Sequence, residues 1–89
     1  MTTVVTNFAV GNVDTFLAGG AARNENLVKF CSSYRVFRHS DANRISVVCE
    51  NVDLEKMKAI LSSPEVKAAR AKNTVIDPID LYVEVEGAK

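Results

Sequence analysis

Apolar and polar positions alternate through TVVTNFAV, residues 3–10: Thr6, Phe8 and Val10 share one parity, while Val5, Asn7 and Ala9 share the other. Strand side chains point alternately to opposite faces, so this period of two predicts a strand. Gly11 and Asn12 end it, and Val13, Phe16, Leu17 and Ala21 then recur at helical spacing, with Asn12 or Asp14 available as a cap. Gly19 and Gly20 each cost such a helix roughly 1 kcal/mol relative to alanine. A weak helix, or one distorted near its middle, is expected. Residues 33–39 and 44–50 read as two strands joined by Ser40-Asp41-Ala42-Asn43. That loop sets Arg38 opposite Ile45, Val36 opposite Val47 and Tyr34 opposite Cys49. Tyr34, Val36, Ile45, Val47 and Cys49 then share an apolar face with Arg38 at its end, and a slip of one residue would swap every assignment.

The clearest helical run is NVDLEKMKAILSSPEVKAARAKNTV. Asp53 caps it, and Leu54, Met57, Ile60 and Leu61 form an inward stripe. Ser63-Pro64-Glu65 restarts the helix, with serine at the N-cap, proline at the first helical position and an acid near the positive end of the dipole. Val66 and Ala69 continue the buried side. NTVIDPID reads as a loop, since Pro78 forbids helix, and LYVEVE (residues 81–86) reads as the last strand. The order β-α-β-β-α-β predicts a ferredoxin-like α+β domain over residues 1–89, an antiparallel sheet with both helices on one face.

Eighty-nine residues leave no room for a second domain, and a chain this short buries only about 60–65% of its unfolded surface, so further burial by self-association would help it. Eleven basic residues balance eleven acidic ones, which gives no overall field toward nucleic acid or an anionic membrane. No stretch approaches the roughly 18 apolar residues of a membrane span, and MTTVVTNFAV lacks the basic start of a signal peptide. Two cysteines, Cys31 and Cys49, fit free thiols in a reducing compartment better than a secreted disulfide framework. A cytoplasmic protein is expected.

One face of such a sheet has no cover within the chain. Val5, Phe37, Val48 and Tyr82 fall on it, among Asn7, Arg35, Glu50, Glu84 and Glu86. Apolar surface of that extent marks an interface. Two copies closing face to face would bury it and let Arg35 or Arg44 meet Glu84 or Glu86, which predicts a homodimeric barrel with Val5, Asn7, Arg35, Phe37, Val48, Tyr82 and Glu84 at the interface.

YRVFRHSDANRISVVCE, VDLEKMKAILSSPEVKAA and IDPIDLYVEVE together resemble the dimeric α/β-barrel superfamily, which includes antibiotic-biosynthesis-monooxygenase-type and stress-responsive barrel domains. The likeness covers about residues 33 to 86 well and the first 32 by pattern. It implies a pocket between helices and sheet, here near Thr6, Phe8, Phe16, Tyr34, Arg38 and Cys49. LAGGAARNEN departs from the aromatic, longer side chains usual in that helix, and this chain has no tryptophan.

Arg38 and His39 are the catalytic candidates. Arg38 offers a fixed fork of donors for a carboxylate or phenolate, against the alternative that it snorkels into water. His39 is suited to proton exchange near neutrality, with Asp41 as the one nearby acid, against a simple turn or interface role. Cys49 beside Tyr34 reads as a small buried hydrophobe. Gly19-Gly20 lacks the surroundings of a phosphate-cradling loop and reads as close packing or room for a ligand. With one histidine and no ligand cluster, neither a metal nor a cofactor is expected.

Three readings of function follow. The first is a protein binding a small organic molecule between helices and sheet. The second is a cofactor-independent monooxygenase or cyclase-like enzyme, with Arg38 or His39 polarising a substrate oxygen. The third is a structural or regulatory interaction domain whose interior is filled by its own side chains.

Overall fold

The alternation near the N-terminus becomes strand β1 (Thr2–Val10), in which Val4, Thr6, Phe8 and Val10 are buried and the residues between them half-buried. The computed structural model of the chain describes residues 2–89. Three further strands follow: β2 (Ser33–Arg38), β3 (Arg44–Val52) and β4 (Val75–Val83). They form one antiparallel sheet ordered β2-β3-β1-β4. The hairpin register is the expected one, with Tyr34 opposite Cys49, Val36 opposite Val47 and Arg38 opposite Ile45.

Between β1 and β2 the helix breaks at Gly19 into α1 (Val13–Ala18) and α2 (Gly20–Leu27). Asn12 starts it, its Oδ1 accepting from the Thr15 amide at 2.9 Å. The break has a packing cause. A Cβ on Gly19 would lie 2.5 Å from Asn73 Oδ1, so the bare glycine lets the two helical layers approach. The second helical stretch divides where the Ser-Pro-Glu signal restarts it, into α3 (Leu54–Leu61) and α4 (Pro64–Lys72). Asp53 caps α3 through the Lys56 amide at 3.2 Å, and Ser63 caps α4 through the Val66 amide at 3.3 Å. Met57 and Val66 are buried, with Leu54, Ile60 and Leu61 packed against the same core. The result is a ferredoxin-like α+β fold with both helical stretches on one side of the sheet.

β4 departs from the sequence expectation. Residues 75–80 were expected to be loop and 81–86 strand, whereas the strand spans Val75–Val83. Ala9 pairs with Ile76 and Asn7 with Asp80, so Asp77, Pro78 and Ile79 bulge out opposite Phe8. Proline lacks an N–H to donate, but at an irregularity on an edge strand none is needed. Glu84 and Glu86 lie beyond the strand. Glu84 is tied to its own chain, its amide donating to Thr3 O at 2.9 Å and its Oε1 accepting from the Thr3 amide at 3.3 Å.

β3 also runs two residues past its expected end. A register shift between Thr2 and Val4 accommodates Asn51, whose φ of 53° lies in the left-handed region that asparagine tolerates. The bulge restores Val52 to the buried side, where it is 2% exposed. Val4, Phe8, Val10, Val13, Phe16, Phe30, Ile45, Val47, Cys49 and Met57 complete most of the core between sheet and helices.

Candidate functional site

Strand parity aims Thr6 and Phe8 of β1, and Val47 and Cys49 of β3, at the helices. Above them stand Phe16 on α1, Arg23 and Asn26 on α2, Met57 and Leu61 on α3, and Val66 and Arg70 on α4. These side chains line a partly open cavity of about 120 Å³. Phe8 and Phe16 form one wall, their ring centroids 5.5 Å apart and the planes tilted by 55°. Thr6 is the buried polar side chain among the described residues, and it faces this space. Pockets for drug-sized ligands run about 300–1,000 Å³; this one has the scale of a single ring, comparable with the engineered cavity of about 150 Å³ in another protein that binds benzene.

Four of the six pocket residues expected from sequence, Thr6, Phe8, Phe16 and Cys49, line the cavity. Tyr34 does not: its hydroxyl donates to Asn24 Oδ1 at 2.7 Å, outside the cavity wall. Arg38 does not either. It pairs with Ile45 as expected, but it is the last residue of β2 and is exposed, beside a depression shared with Asn7, His39 and Tyr82. Parity does not settle which way a side chain turns at the last residue of an edge strand. His39 stands in the hairpin loop. Its Nδ1 accepts from the amides of Asp41 and Ala42, both at 3.0 Å, so the imidazole closes the hairpin loop and Asp41 supplies it an amide rather than a carboxylate.

Arg23 is the cation that sequence reasoning missed. Its guanidinium carbon lies 3.7 Å from the centroid of the Phe16 ring, and its Nη2 donates to Phe16 O. Burial pulls its pKa below the ordinary arginine value, an effect the neighbouring Tyr34 partly offsets. Phe16 and Arg23 are seven residues apart, the spacing of two helical turns, but the break at Gly19 falls between them. Arg70 stands on the cavity wall too, its Nη1 donating to Leu61 O at 3.1 Å.

The two cysteines also meet. Cys31 is buried, its thiol donating to Leu27 O at 3.2 Å, and it interacts with the thiol of Cys49. Burial, and then Cys31, push the Cys49 thiol from 9.0 up to about 12. A thiol so protected stays protonated and is a poor nucleophile.

On the opposite side of the sheet, Val5 stands between Val48 and Tyr82, Asn7 between Ser46 and Asp80, Arg35 beside Val48 and Phe37 beside Ser46. Phe37 is 45% exposed and Tyr82 57%. Arg35 has an acid of its own chain, Glu50, at 4.0 Å, where sequence reasoning offered Glu84 or Glu86 of another copy. Both groups are solvated, so the contact is worth little. No helix is long and apolar enough to cross a membrane, and no group of three His, Cys, Asp or Glu side chains that could hold a metal occurs among the described residues.

No protein-family model matches the chain, and no curated protein matches it. Solved structures do. SnoaB, a cofactor-independent oxygenase from Streptomyces nogalater, is 14% identical, with a TM-score of 0.67 over 99% of this chain and 94% of that one. An antibiotic biosynthesis monooxygenase is 9% identical, with a TM-score of 0.63 over 99% of this chain and 100% of that one. Protein Atu4242 from Agrobacterium tumefaciens is 12% identical, with a TM-score of 0.71 over 96% and 92%. The likeness is one of fold: this chain has the α+β fold of antibiotic-biosynthesis-monooxygenase-like proteins.

Proposed function

We propose that this protein binds a small organic molecule in the cavity between helices and sheet, and that it does so as a homodimer closed through the open sheet face. The observation that carries the reading is the cavity itself, apolar in most of its wall and tipped by Thr6, Arg23, Asn26 and Arg70. The homodimer is supported by the apolar residues left uncovered on that face, chiefly Tyr82 beside Val5 and Phe37 beside Ser46.

A nuclear magnetic resonance titration with single-ring compounds tests the binding. The amides of Thr6, Phe8, Phe16 and Cys49 are expected to shift in the wild type and to stay still in Ala69→Leu, which fills the same space. Shifts confined to the depression beside Arg38 and His39 would overturn the assignment.

A second reading is a cofactor-independent oxygenase, favoured by the fold shared with SnoaB. Dioxygen would then take its electrons from the substrate, and the protein's part would be to hold and polarise that substrate. Under this reading the role first assigned to Arg38 or His39 passes to Arg23. Oxygen uptake that depends on an added hydroxy-aromatic and disappears in Ala69→Leu supports it. Uptake unchanged in that variant contradicts it.

A further inference from the structure

The cavity wall carries two guanidiniums and no carboxylate. Arg23 comes from α2 and Arg70 from α4, and the other polar side chains of the wall are Thr6, Asn26 and Asn73. Among the described residues, the ion pair within 4.0 Å is Arg35 with Glu50, on the other side of the sheet. Among the described residues, neither cavity arginine has an acid within that distance.

Among the described residues, each arginine makes one side-chain hydrogen bond, to a backbone carbonyl. Arg23 takes Phe16 O where α1 breaks at Gly19, and Arg70 takes Leu61 O where α3 ends. A guanidinium carries five N–H donors, so capping a broken helix end occupies only part of each fork. Arg23 is also held by its stack on Phe16, which fixes the plane of the fork beside the aromatic wall. A partly desolvated cation without a counter-charge is unfavourable unless a partner supplies one. An apolar space of one-ring scale next to two such cations is complementary to one kind of molecule.

We infer that the cavity takes a small aromatic monoanion of the carboxylate class, its ring against Phe8 and Phe16 and its carboxylate on Arg23, with Arg70 as the second cation. The inference rests on the ligand-binding reading and sharpens it by naming the charge. The alternative is that both arginines serve only as helix caps, and the two differ in what they predict for charge selectivity.

The experiment compares benzoate with benzamide, alike in shape and different in charge, by amide-shift titration of the wild type, Arg23→Gln and Arg70→Gln. Both compounds are expected to move the Phe8 and Phe16 amides, with benzoate bound about tenfold more tightly, the scale of one charge-assisted contact. Arg23→Gln should reduce that preference to about twofold, and Arg70→Gln should reduce it in part. Raised salt should weaken benzoate and leave benzamide unchanged. Equal affinity of the wild type for the two, or a preference that survives both substitutions, overturns the anion while leaving cavity binding intact. If neither compound moves the cavity amides, the ligand-binding reading fails and this inference with it. The wild-type comparison needs no variant to fold.

Discussion

The Arg23 guanidinium stacks on the Phe16 ring at 3.7 Å and donates a hydrogen bond to the same residue's carbonyl. One side chain therefore ties α2 to α1 across the Gly19 break and gives the cavity its polar tip. A double-mutant cycle of Phe16→Leu and Arg23→Gln should give a coupling of about 0.5–1 kcal/mol, read by urea unfolding, as expected for a cation on an aromatic face. Additive effects of the two substitutions would show that the stack contributes nothing to stability.

The hairpin residues should prove dispensable for ligand binding. His39→Ala leaves the Asp41 and Ala42 amides without their acceptor. It should cost about 0.5–1 kcal/mol, since water partly replaces the bonds. Arg38→Ala should be close to neutral. Both should leave any amide-shift response in the cavity unchanged, and a lost response in either would return the site to the hairpin.

Alkaline conditions should expose the buried thiol. Cys49 titrates near 12 when folded and near 9.0 in its ordinary state, so the folded chain holds this proton over a range where the unfolded chain has lost it. Its contribution is fully present below pH 9.0 and is lost as pH rises toward about 12. The slope attributable to it approaches 1.4 kcal/mol per pH unit. Denaturant melts of the wild type and Cys49→Ala across that range should converge as pH rises. A gap that stays constant contradicts the assignment. Thiol-modifying reagents should likewise react slowly with the folded chain and fast in denaturant.

The open face yields a test of assembly. Phe37→Glu places a charge beside Ser46, in the depression shared with Asn7 and Tyr82, and should convert a sedimenting dimer to a monomer at micromolar concentration while leaving the helical signal intact. A wild type that is already monomeric there contradicts the homodimer.

Strand parity made β1 and the hairpin register legible, and through them Thr6, Phe8 and Cys49, because alternation on a half-buried strand reports directly which side is covered. The same rule did not bring Arg38 into the cavity: as the last residue of β2 it is exposed, beside a depression it shares with Asn7 and Tyr82. Pro78 concealed the first half of β4, because an edge bulge tolerates a residue that an inner strand would reject. Arg23 was not legible because the helix breaks at Gly19, between it and Phe16, so a regular helical spacing does not report which residues share a face there. Cys31 reached Cys49 through the loop before β2, a long-range contact with no local signal.

The central claim, a cavity that holds a small molecule beside Phe16 and Arg23, is tested most directly by a crystal structure of the natively purified protein. Co-purified density against the Phe8 and Phe16 rings, with an acidic group at Arg23, is expected. A cavity closed by its own side chains, or ligand density only beside Arg38 and His39, would contradict it.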